Sequence, residues 1–118
     1  MSEEREVDYA KLRFTGRKED WPTWSTQFLA LAQVKKFKNT LVGKETPPSE
    51  EEDLDEDSSD AETRKKLKAR AANERAYSAL TLTCSEPKAF RIILNAKTTD
   101  LPSGSASLAW ERLKARFE

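Results

Sequence analysis

Apolar residues recur along this chain at helical intervals, and nowhere do they alternate with polar ones over the length of a strand. Trp21, Trp24, Phe28, Leu31 and Ala32 fall at i, i+3, i+7, i+10 and i+11, which puts two indoles, a phenyl ring and two aliphatic groups on one helical stripe. Asp20 stands where a helix cap is wanted, and Pro22 falls in the first turn, where its missing N–H costs nothing. Gln27 and Gln33 lie off the stripe, and Lys35 and Lys36 end it with charges that suit the helix dipole. Phe37, Leu41 and Val42 predict a short second helix stopped by Gly43. Residues 61–83 hold neither Gly nor Pro and predict a long helix with Ala69, Ala72, Ala76, Tyr77 and Leu80 facing inward. Ser85 is expected to cap the next helix, with Glu86 and Pro87 in its first turn and Ala89, Phe90, Ile93 and Leu94 as its apolar face. After a break marked by Pro102 and Gly104, Ser105 is expected to cap a last helix. Its stripe is Ala106, Ala109, Trp110, Leu113 and Phe117.

The fold class this predicts is all-α, a compact bundle of about five helices in a single domain. Residues 1–13 are charged and read as a flexible leader, with Val7, Tyr9 and Leu12 touching the domain that spans 14–118. Gly16 suits a tight bend. Residues 44–60 read as a mobile acidic loop. Pro47-Pro48 blocks helix propagation, and nine acids crowd Glu50–Glu62, too polar a run to offset its own ordering entropy.

Charge refines this picture. The 21 basic and 21 acidic residues cancel, which excludes a polycation that coats nucleic acid through net charge alone. They are segregated, however: the acidic run gives way at Ala61 to Arg64, Lys65, Lys66, Lys68, Arg70 and Arg75. Such a basic run is ordinarily a solvated helix face; here it is also the candidate for phosphate contact, through Arg64, Lys65 and Lys68, or for contact between subunits.

Candidate chemistry is sparse. The chain has no His and one Cys, Cys84, so no His-activated nucleophile, imidazole metal site or zinc knuckle can be built from these residues. Its three glycines stand too far apart for a phosphate-cradling loop. A solvated acidic run cannot hold carboxylates in a fixed acid–base geometry and lacks the spacing of a calcium loop. No enzyme, cofactor, metal site or small-molecule substrate is expected. No run reaches the roughly 18 apolar residues of a membrane span, and Met1 is followed by Ser-Glu-Glu-Arg rather than a signal-type apolar stretch, so an intracellular protein without membrane contact is expected.

Taken together and in order, several segments resemble the N-terminal part of the Gag protein of copia-type LTR retrotransposons. They are Phe14-Thr15-Gly16, Trp21-Pro22-Thr23-Trp24, Phe28, Ala32 and Leu41-Val42-Gly43, then AANERAYSALTL over 71–82, Ile92-Ile93, and SLAWERLKARF over 107–117. The motif residues are Phe14, Gly16, Trp21, Trp24, Phe28, Leu80, Trp110, Leu113 and Phe117, and the resemblance covers most of 12–118 apart from the acidic insertion. It implies the N-terminal of two helical capsid domains, in a structural protein that self-associates into a cytoplasmic virus-like shell around the element's RNA. The partners it implies are other copies of itself, as a homo-oligomer in the full-length context, with RNA bound mainly by regions outside this chain, such as the zinc knuckle that often follows in such proteins. The polar faces of the first and third helices are the candidate assembly surface, through Gln27, Lys35, Lys66 and Arg70. The alternative from a different class is a helical adaptor, Gag-derived or unrelated, that docks a partner protein.

Overall fold

The computed structural model describes Tyr9 and residues 11–118; Val7 and most of the expected leader lie outside the described residues. Five α-helices follow in order: α1 (Trp21–Val34), α2 (Lys38–Leu41), α3 (Ala61–Thr83), α4 (Pro87–Leu94) and α5 (Ala106–Phe117). A 3-10 turn, Lys18–Asp20, leads into α1. The described residues contain no strand, so the all-α expectation holds.

Two of the expected caps are not where the sequence placed them. Asp20 makes no capping bond to α1; its carboxylate accepts from the Thr15 hydroxyl at 2.6 Å and from Arg17 Nε at 3.1 Å. The 3-10 turn already puts Asp20 in helical backbone, so its side chain cannot reach back over the N-terminus as a cap does. At α4 the cap is Glu86, whose carboxylate accepts from Ala89 N at 3.0 Å. The cause is Pro87: a proline pushes the residue before it into extended backbone, so Glu86 is the last non-helical position and Ser85 falls one residue too early. Ser105 does cap α5, accepting from Leu108 N at 3.3 Å. α3 is capped by Asp60, which accepts from both the backbone N and the hydroxyl of Thr63.

The two aromatic stripes, one near each end of the chain, meet. The Trp110 ring of α5 lies 5.4 Å from Trp21 and 5.6 Å from Phe28 of α1, centre to centre. Phe14 closes the cluster, 5.0 Å from Trp24 and edge-on to Phe117 at 4.9 Å. Its backbone N donates to Thr83 O at 2.8 Å, and the Trp24 indole donates to Leu12 O at 2.7 Å. The segment before α1 is thereby held across both the end of α3 and the aromatic core. α3 contributes a row of small groups to the same core, Ala72, Ala76 and Ala79, together with Leu80, all buried. Small side chains let its backbone approach neighbouring helices closely.

Buried Asn73 is a tie the apolar pattern could not show. Its Nδ2 donates to Gly104 O at 3.0 Å, and its Oδ1 accepts from Ala106 N at 2.9 Å. One α3 side chain thus supports the first turn of α5. Beside it, the Tyr77 hydroxyl donates to Ile93 O at 2.7 Å near the end of α4. The Tyr77 ring packs on Gly104, where an added Cβ would come within 2.5 Å of the ring and where φ is +137°. That turn requires glycine.

Candidate assembly surface

The basic turns of α3 divide between two faces, because residues advance about 100° per position around a helix. Lys66 and Arg70 look one way, toward residues 49–52. Lys66 Nζ pairs with Glu52 at 2.7 Å, while Arg70 Nη2 donates to the backbone oxygens of Ser49 at 2.9 Å and Glu52 at 2.7 Å. The next link is Glu50. Its N donates to Asp100 O, and its carboxylate accepts from the N and the hydroxyl of Ser103, each at 2.8 Å. Residues 49–52 therefore strap α3 to the turn before α5. Within the loop expected to be mobile over 44–60, these residues have their backbone held by the half-buried Arg70 of α3. From Asp53 to Asp57 the hydrogen bonds are local, such as Asp57 N to the Asp55 carboxylate at 2.9 Å.

Lys68 and Arg75 occupy nearly the opposite side of α3, with Lys65 between the two faces, and all three line a groove against α2. One cleft of the groove is bounded by Lys36, Lys38, Lys68 and Arg75 with Glu45. It meets a second, bounded by Lys44, Lys65 and Lys66 with Glu62, at Asn39 and Glu45. Arg75 Nη2 donates to Lys36 O across the end of the groove at 3.4 Å. Seven cations, one of them Lys66 with its partner in Glu52, therefore line the groove with two carboxylates in a chain whose total charge is zero.

The proposed surface residues do not form one cluster. Gln27 is exposed on α1, and Lys35 is half-buried at its end. Lys66 is exposed but paired with Glu52. Arg70 is half-buried and holds the strap through two backbone oxygens. Arg64, Lys65 and Lys68 are all exposed. Of the motif residues, Gly16 is half-buried at a turn with φ +82°, and the other eight are buried in the common core. The residues that sequence reasoning missed are Lys38, Lys44 and Glu45. They lie on a one-turn helix and its exit, too short a stretch to show a periodic signal.

Cys84 is fully buried, and burial pushes its thiol up to about 12, so it packs as a small apolar group. Among the described residues no His, Cys, Asp and Glu gather in a group that could hold a metal ion, and no helix is long and apolar enough to cross a membrane. A small all-α domain with a charge-segregated surface is the class this geometry defines. No protein-family model matches the chain, and no curated protein or solved structure does either.

Proposed function

We propose that this chain is a self-associating structural domain, the N-terminal capsid domain of a copia-type Gag protein, working as a building block of a shell that packages element RNA. One observation carries the reading. Eight of the nine motif residues of the Gag resemblance, drawn from both ends of the chain, pack into one continuous aromatic and aliphatic core. They are a packing pattern with no catalytic geometry, so what the motif specifies is a rigid body. Function then resides on the outside, where charge is sorted into blocks, and shells need such weak, repeated contacts because symmetry multiplies small interface energies. The one cysteine supports a non-catalytic role, since its depth and raised pKa leave it unable to act as a nucleophile at neutral pH.

Light scattering and electron microscopy of the same samples at rising protein concentration test this. Rings, tubes or shells are the expected result; particles of monomer size at every concentration and salt would contradict it.

The adaptor reading has one specific observation in its favour. A cleft of 360 Å³ lies where α3 meets the strap and the turn before α5, with Pro47, Tyr77 and Leu101 beside Arg70 and Ser103. It has the mixed apolar and polar lining that short peptide segments use. Under that reading, a bound partner peptide perturbs the amide resonances of Tyr77 and Ser103 while the chain stays monomeric.

A further inference from the structure

Four carboxylates of the acidic segment, Asp53, Asp55, Glu56 and Asp57, are exposed. The two ion pairs among the described residues, Arg17–Asp20 and Lys66–Glu52, involve none of them. Both ends of this arm are fixed: Glu52 is held by Lys66, and Asp60 caps α3. The arm therefore starts beside Lys66, at the edge of the groove's second cleft, whereas the first cleft, lined by Lys68 and Arg75, lies on nearly the opposite side of α3. One molecule thus carries an acidic arm whose carboxylates pair with no cation among the described residues, and a basic groove short of acids.

We infer that the acidic arm of one copy docks in the basic groove between α2 and α3 of the next copy. This rests on the self-association reading above and names the surfaces that would carry it. The dimensions agree. Asp53 to Asp57, with its turn at Asp55, spans at most about 13 Å at roughly 3.3 Å per residue, within the roughly 15 Å from Lys65 to Arg75 along α3 at 1.5 Å per residue. The chemistry has a counterpart within the molecule, where Glu52 meets Lys66 at 2.7 Å. A neutral chain with segregated charge favours a second copy as occupant, because each arm neutralises a groove and the assembly stays neutral. Single-stranded nucleic acid fits less well: the rings that would stack bases are in the core, with Trp21, Trp24, Phe28, Trp110 and Phe117 all buried, and Glu45 and Glu62 interrupt the groove. An arm-to-groove contact is heterologous, so it propagates head to tail and closes into a ring or continues as a filament.

The test is a charge exchange, read by sedimentation velocity on the full chain at low salt. The arm variant carries Asp53→Lys, Glu56→Lys and Asp57→Lys, which spares the turn-forming Asp55 and the capping Asp60. The groove variant carries Lys44→Glu, Lys65→Glu and Lys68→Glu. Each alone is expected to weaken association roughly ten- to hundredfold, and an equimolar mixture to recover it, because reversed arm then meets reversed groove. Circular dichroism checks the fold; if a triple variant unfolds, the single pair Glu56→Lys and Lys68→Glu replaces it. Wild-type association that both variants retain overturns the docking while leaving self-association in place. A wild type that stays monomeric at low salt contradicts both. Loss of labelled single-stranded RNA binding in the groove variant, with association unchanged, assigns the groove to nucleic acid and overturns the docking.

Discussion

Lys36 holds a position that usually belongs to glycine. Its φ is +62°, and its N donates to Gln33 O while Phe37 N donates to Ala32 O, the paired bonds of a Schellman helix end. A side chain in left-handed backbone costs about 1 kcal/mol, so Lys36→Gly should raise the free energy of unfolding by about that much in urea titration. The Arg75 bond to its carbonyl is kept, because the carbonyl belongs to the backbone. Cys84 gives a second outcome at this scale. Buried, with its thiol raised to about 12, it should resist a thiol reagent at pH 8 in the folded protein and react once denatured. Rapid native labelling would show that this part of the core opens.

At the level of elements, helix ends divide what the sequence disclosed from what it did not. The stripes on α1 and α5 were legible because 3.6-residue periodicity survives any packing partner. So were the span of α3, free of Gly and Pro, and the cap at Ser105. The caps at Asp20 and Ser85 were misread because a cap depends on backbone geometry, which a preceding turn or a following proline can override. Glu86 shows this directly, shifted into the capping role by Pro87. The strap at 49–52 was hidden because its bonds join residues 14 to 53 positions apart, beyond any local pattern. The acid–base blocks of the candidate site were plain in the sequence, but their division between two faces of α3 emerged only from which side of the helix each cation occupies. Asp60 makes the pH dependence specific. Its carboxyl is held below the usual value of 3.8 by the backbone N–H of Thr63, helped by the Thr63 hydroxyl. A lowered folded value stabilises the native state above the unfolded value, and that contribution is lost as pH falls through the folded one. Asp60→Ala should therefore lower Tm at neutral pH, with the gap to wild type closing in strong acid. A gap that stays constant down to pH 2 would mean that the carboxylate is not the source.

The whole molecule depends on residues near one end of the chain meeting residues near the other. Trp110 is 5% exposed and lies within 6.0 Å, centre to centre, of three rings of α1. Trp110→Ala should cost about 3–5 kcal/mol, a large share of the stability of a domain this size, and guanidinium unfolding followed by circular dichroism measures it. A closed core of this kind presents its surfaces as fixed patches: the basic groove, the acidic arm and the strap. Hydrogen exchange of the wild-type chain, read by mass spectrometry at low micromolar and near-millimolar concentration, tests the joint claim of a rigid body that associates through its surface. Core amides of α1, α3 and α5 should be protected alike at both concentrations, with added protection at high concentration confined to surface segments, foremost residues 53–57 and α2. Profiles that superimpose at the two concentrations would contradict it.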